Sequence, residues 1–237
     1  VLDQLSGPSA ATPIFITEQT TSFFKLLKSR FAQAVGSEFL GSELASGQVN
    51  DKGIRNENLL KTSFPDKAFG LVLSFDVFEH LPVPGFEEAF RECHRILSDD
   101  GILLFTVPFH RLGDRNIIRA DHDAHGRLRH RRRPAYHGNP VDPRGSLAYQ
   151  DFSWPIVDQL KAAGFDRIRA HFAWSPEMGY LSHEFPIFTA VKNPAKALHF
   201  DRFSDDCHLI PISASGSRAL DRSHVGTQAH EPMPQVS

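Results

Sequence analysis

Two short apolar runs, FGLVLSFDVF at 69–78 and ILLFTVPF at 102–109, constrain the fold more than any other feature. Each is strand-length and bounded by turn formers, and a strand apolar on both faces needs cover on both sides. That is the situation of a central strand in a parallel sheet sandwiched between helices. Between the runs Phe86, Ala89, Phe90, Cys93, Ile96 and Leu97 recur at helical spacing up to a stop at SDDG. Strand, helix, strand in that order predicts a βαβ crossover.

The same alternation extends in both directions. PIFIT (13–17) reads as a short strand, with Thr20, Thr21 and Ser22 each able to cap the helix that follows. In that helix Phe23, Phe24, Leu27 and Phe31 form one face, with Lys25, Lys28 and Arg30 between them. VGSEFL (35–40) is a second strand and GIRNENLL a weak third. After a polar insertion at 110–150, SWPIVDQLKAAGF carries a Ser153 cap, an early Pro155 and a terminal Gly164. RIRAHFAW and EFPIFTAVK are expected to close the sheet through a loop at 175–180, with Pro186 near a strand start. These elements predict a domain over 13–192, a short extension at 1–12, and a polar tail at 193–237 too poor in apolar residues to build a core.

Composition narrows the function classes. With 26 basic and 28 acidic residues the net charge is −2, so no global field recruits nucleic acid or an anionic membrane. Two cysteines without a CxxC pair exclude a disulfide scaffold and a thiolate zinc site, and fit a reducing compartment, so cytoplasm is expected. No run approaches the roughly 20 apolar residues that span a bilayer, and no metal site is expected.

Chemistry is expected at the strand ends, because open parallel sheets bind ligands beyond their carboxyl edges. Asp76, Glu79 and His80 lie just past the strongest strand. Glu18 follows the first strand and Glu38 ends the second, the spacing at which a βαβ unit offers an acid to ribose hydroxyls. On residue grounds alone, Glu18 and Glu38 are equally readable as solvated loop acids.

The stretch 59–109 contains Ser63-Phe64-Pro65-Asp66, Phe69-Gly70-Leu71-Val72, Phe78-Glu79-His80, Arg95-Ile96-Leu97-Ser98-Asp99-Asp100-Gly101 and Leu104-Phe105-Thr106-Val107-Pro108. In this order the motifs resemble the middle of class I S-adenosylmethionine-dependent methyltransferases of the small-molecule, methyltransferase-11-like branch. The likeness covers about 14–192 and is dense over 57–109. It implies an α/β, Rossmann-like open, mostly parallel sheet with helices on both faces and an antiparallel last strand. The family's glycine-rich turn after strand one is missing; FITEQTTSFF stands there instead, and Gly70 replaces a usual Asp. S-adenosylmethionine has no phosphate for such a turn to cradle. Its ammonium is expected at Glu18 and its carboxylate at the exposed N–H groups of the hydroxyl-rich helix start, Thr20, Thr21 and Ser22; the resemblance assigns its ribose to Glu38. Asn58 is assigned to the adenine amino group, and Leu59, Phe75 and Asp76 complete the cofactor site. His80 is the expected substrate-facing group or general base.

From His110 to Arg133 the insertion holds eight arginines and four histidines against three acids. A solvated face is the plain expectation. The functional one is a lid whose arginines hold an anionic acceptor, such as a phosphorylated or carboxylated small molecule, with His110, Arg111 and Tyr136 touching it and His137 beside the chemistry. Three functions follow: a methyltransferase acting on a small-molecule, sugar or lipid-linked acceptor, a non-catalytic relative acting as a scaffold, and an RNA methyltransferase suggested by RHRRR. A nicotinamide dehydrogenase ranks last for want of a glycine-rich turn.

Overall fold

The computed structural model describes residues 12–83, 85–173, 186–193 and 207–211. Its centre is a seven-stranded sheet ordered β13-β11-β12-β4-β3-β1-β2. Strands β1 (Ile14–Ile16), β2 (Ala34–Gly36), β3 (Phe69–Phe75) and β4 (Leu97–Thr106) run parallel, with Ile14 beside both Ala34 and Leu71. Beyond β4 the direction alternates: β12 (Ile187–Val191) is antiparallel to β4, β11 (Arg167–Ala173) to β12, and β13 (Cys207–Pro211) to β11.

Alternation along the strands divides the core in two. Ile14, Ile16, Leu71, Leu73, Ile102 and Leu104 pack toward α1 (Ser22–Arg30) through Leu27. Phe15, Val72, Leu103 and Phe105 face α2 (Gly85–Ile96) and α3 (Pro155–Ala162) through Phe90, Cys93, Ile96 and Leu160. Helices on both faces explain why β3 is buried along most of its length.

Several local expectations needed correction. GIRNENLL forms no strand; Arg55 and Asn56 make only isolated bridges, to Val49 and Glu38, because the segment folds back on its own loop. No gap separates α2 from β4: SDDG lies within the strand, whose ladder ends at Thr106. Of the three possible caps Thr21 is the one used, its Oγ1 accepting from Phe24 N at 3.1 Å. Ser153 does not cap α3; Trp154 occupies that position without a side-chain bond, and Pro155 opens the helix. Gly164 does end it, at φ +104°, where a side chain would be strained and would meet His94. Within the expected tail, Cys207–Pro211 adds a strand to the sheet. The 175–180 loop and the 1–11 extension lie outside the described residues.

The insertion is built of three ribbons rather than a featureless loop. β5 (Ile117–Ile118) pairs with β10 (Gln150–Asp151), β6 (Ala120–His122) with β7 (Leu128–His130), and β8 (Tyr136–His137) with β9 (Ser146–Leu147). The β8–β9 ribbon is tied to the domain where Tyr149 N donates to the Glu79 carbonyl at 2.7 Å.

Candidate active site

The chain leaves β1 toward β2 on one side and returns past it to β3 on the other, so the carboxyl ends of β1 and β3 open a crevice at the reversal of strand order. A cavity of about 760 Å³ occupies it. The floor is the turn after β1. Glu38 Oε1 accepts from Gln19 N at 2.8 Å, Thr20 N at 3.0 Å and Thr20 Oγ1 at 2.8 Å. One carboxylate oxygen thus gathers the amides of a turn that has no glycine. Close approach is supplied instead at Gly36, where a Cβ would lie 2.5 Å from the Glu18 carbonyl and 2.7 Å from the Phe24 ring.

Glu18 sits beside this turn, and Thr21 Oγ1 donates to its Oε1 at 2.8 Å. Burial raises its pKa above the usual carboxylate range; the Thr21 bond opposes that rise and repulsion from Glu38 adds to it. The two carboxylates line one crevice, the first of the two readings their spacing allowed. Asn58, Leu59 and Phe75 also line it. Asn58 Oδ1 accepts from Leu60 N at 3.0 Å, leaving the amide nitrogen as its more available group. Asp76 adopts φ +51°, a left-handed conformation uncommon outside glycine, and is held by Thr106 Oγ1 at 3.0 Å.

The opposite wall is formed by His80, His137 and the 138–141 turn. His80 Nδ1 lies 2.9 Å from the Leu147 carbonyl, which can only accept, so Nδ1 carries the proton and Nε2 keeps its lone pair. Burial lowers the His80 pKa, and His137 lowers it further against the carbonyl bond. The rings of His80 and His137 stand 4.8 Å apart, edge to face. Behind them lies Glu79, 0% exposed, with pKa pushed up to about 8 by burial and by Asp76 and Asp151. Its Oε1 is 3.2 Å from His137 Nδ1 and 3.7 Å from His80 Nε2, yet neither carboxyl oxygen has a hydrogen bond of good geometry. The short His137 distance is a close approach whose N–H direction misses the oxygen.

No lysine or arginine lines the cavity among the described residues, whereas Glu18, Glu38, Glu57 and Asp76 all do. Such a wall suits a cationic ligand. Four residues expected at the site lie off its lining. Thr20 turns to Glu38, His110 to Asp151 at 3.2 Å, Arg111 carries the Trp154 indole on its backbone carbonyl at 2.6 Å, and Tyr136 is 57% exposed. Strand alternation explains the last, since adjacent Tyr136 and His137 point to opposite faces of their ribbon. Glu79 had no role assigned from sequence beyond marking the strand exit; the available signal was a carboxylate wedged between Phe78 and His80 at the end of an apolar strand.

Residues 20–105 match the family model described as a methyltransferase domain. Over those residues, a little over a third of its length, the chain is similar to the methyltransferase family. The match starts in the turn that Glu38 organises and ends in β4, enclosing the whole parallel half of the sheet except β1. Similar solved structures include an S-adenosylmethionine-dependent methyltransferase from Mesorhizobium loti, 18% identical over 76% of this chain and 90% of that one, with a TM-score of 0.45. Another, from Thermotoga maritima, is 14% identical over 81% and 86%, with a TM-score of 0.47. A third is the 1,6-didemethyltoxoflavin-N1-methyltransferase of Burkholderia thailandensis, solved with 1,6-didemethyltoxoflavin and S-adenosylhomocysteine; it is 12% identical over 77% and 71%, with a TM-score of 0.42. No curated protein matches this chain. No helix among the described residues is long and apolar enough to cross a membrane.

Proposed function

We propose that this chain is an S-adenosylmethionine-dependent methyltransferase acting on a small, uncharged acceptor that presents a hydroxyl or amine, a sugar-like polyol included. The observation that carries this reading is the division of one cavity into a carboxylate wall at Glu18, Glu38 and Asp76 and a histidine wall at His80 and His137, with no cationic side chain among its described lining residues. The acidic wall complements the ammonium and sulfonium of S-adenosylmethionine. Glu18 takes the ammonium, Glu38 the ribose diol, Asn58 the adenine edge, and Leu59 and Phe75 its apolar faces. An anionic acceptor finds no partner there. In the arginine-rich ribbon Arg129 and Arg131 are both bonded to Asp121, at 2.9 and 2.8 Å, and neither lines the cavity. The same pairing weighs against an RNA acceptor.

In the transfer the acceptor oxygen or nitrogen attacks the S-methyl carbon as the C–S bond breaks. The bonding pair stays on sulfur, which leaves as neutral S-adenosylhomocysteine, and the acceptor sheds one proton. The protein's part is to align and desolvate the nucleophile and to help that proton leave, for which His80 and His137 are placed. The test is transfer of labelled methyl groups to matched neutral and phosphorylated acceptors. Neutral acceptors are expected to be preferred, with activity falling at least about tenfold in His80→Gln while S-adenosylhomocysteine binding is retained. Preference for the phosphorylated series, or an unchanged His80→Gln rate, would overturn the reading.

A further inference from the structure

Glu79, His80 and His137 form a group in which one oxygen and two ring nitrogens lie within 4.8 Å of one another. From these positions we infer a binding site for a divalent first-row transition-metal ion of the zinc type, held by Glu79 Oε1, His80 Nε2 and His137 Nδ1 and open toward the cavity. Ligands about 2.1 Å from a common ion stand roughly 3.0–3.4 Å apart at right or tetrahedral angles. The Glu79–His137 separation is 3.2 Å and the Glu79–His80 separation 3.7 Å, so two of three edges are already near that span.

Three further observations point to an ion. Both oxygens of a fully buried carboxyl group are left without a hydrogen bond, and Oε1 lies within 3.7 Å of a nitrogen of each imidazole. The Leu147 carbonyl fixes the His80 tautomer through Nδ1 and turns a bare Nε2 inward, which is how histidine ligands are oriented behind a metal. The cavity wall next to the group brings Asp76 and no described lysine or arginine, so a dication meets no like charge from side chains. Two nitrogens and one carboxylate suit zinc, cobalt or iron better than magnesium or calcium, which prefer all-oxygen shells.

Three protein ligands leave at least one position open, and His80 and His137 direct it into the acceptor half of the cavity. With the ion bound, His80 and His137 serve as its ligands in place of the proton-accepting role they have without it: an acceptor hydroxyl on the ion loses its proton to water more readily, and its oxygen then attacks the methyl carbon with the balance given above. This role rests on the proposed methyl-transfer reading; binding of the ion does not.

The experiment uses the full chain stripped with chelator and titrated with Co²⁺, following visible absorption and bound metal per chain. One equivalent is expected, with affinity weakened at least about tenfold in Glu79→Gln and in His137→Ala. His137 lies on an exposed ribbon, so its variant should fold even if the buried Glu79→Gln does not. Failure to take up Co²⁺, or uptake unchanged in His137→Ala, overturns the site. S-adenosylhomocysteine titration of the same samples reads the cofactor pocket separately; loss of cofactor binding with intact Co²⁺ uptake would sink the proposed function instead.

Discussion

Replacing Glu38 should injure the fold and the proposed cofactor pocket together, in a proportion the geometry sets. Its Oε1 accepts three hydrogen bonds, two from backbone amides and one from a hydroxyl. Hydrogen bonds to a charged group contribute about 1.5–3 kcal/mol each, but three sharing one oxygen are not additive. Glu38→Ala leaves the Gln19 and Thr20 amides to water in a half-buried turn, so a loss of about 3 kcal/mol is expected. For a chain of this length that is roughly 6–12 °C in Tm. Glu38→Gln keeps an acceptor oxygen and gives up the charge, and should cost about 1 kcal/mol. Urea unfolding measures both changes, and calorimetric titration with S-adenosylhomocysteine should show weakened binding in Glu38→Gln beyond what its small stability loss explains. A Glu38→Ala variant within about 0.5 kcal/mol of the parent would show that the turn holds itself and that the account of the missing glycines is wrong.

Three other outcomes follow from single contacts. Thr21→Ala removes the cap bond to Phe24 N and the donor to Glu18, and should lower stability by about 1 kcal/mol in chemical denaturation. Gly36→Ala forces a methyl to 2.5 Å from the Glu18 carbonyl; the turn must move, and both Tm and S-adenosylhomocysteine affinity should fall, whereas an unchanged affinity would separate the turn from the pocket. His171 is buried against Thr189 Oγ1 at 2.8 Å, and burial, aided by Arg169, lowers its pKa to about 4. Because the folded value is depressed, the unfolded chain binds the extra proton between about pH 6.5 and 4. The contribution is therefore complete above 6.5 and lost as pH falls, by about 2 kcal/mol at pH 5. Stability of the parent and of His171→Gln measured from pH 7.5 to 5 should differ by that slope.

The sequence by itself determined the layered fold and the placement of two carboxylates at one crevice. Apolar runs at strand length and helical spacing between them are local signals, so β1, α1, β3, α2 and β11 stand close to where periodicity put them. Glu18 and Glu38 were legible for the same reason: strand ends of a parallel sheet face one edge, and position along the chain fixes which residues stand there. The third strand was misread because its pairing partner, and not its weak propensity, decides whether a segment joins a sheet. Only the tertiary structure decided what the insertion does. Tyr136 and His137 are neighbours in sequence, yet ribbon alternation sends one to solvent and the other to the cavity, 3.2 Å from a glutamate 58 positions earlier. Composition marked that segment as basic and exposed, and most of it is. The histidine wall, the stripped carboxyl of Glu79 and the absence of lysine and arginine from the described lining depend on contacts between distant segments. Burial and charge proximity are properties of those contacts, and no local pattern encodes them.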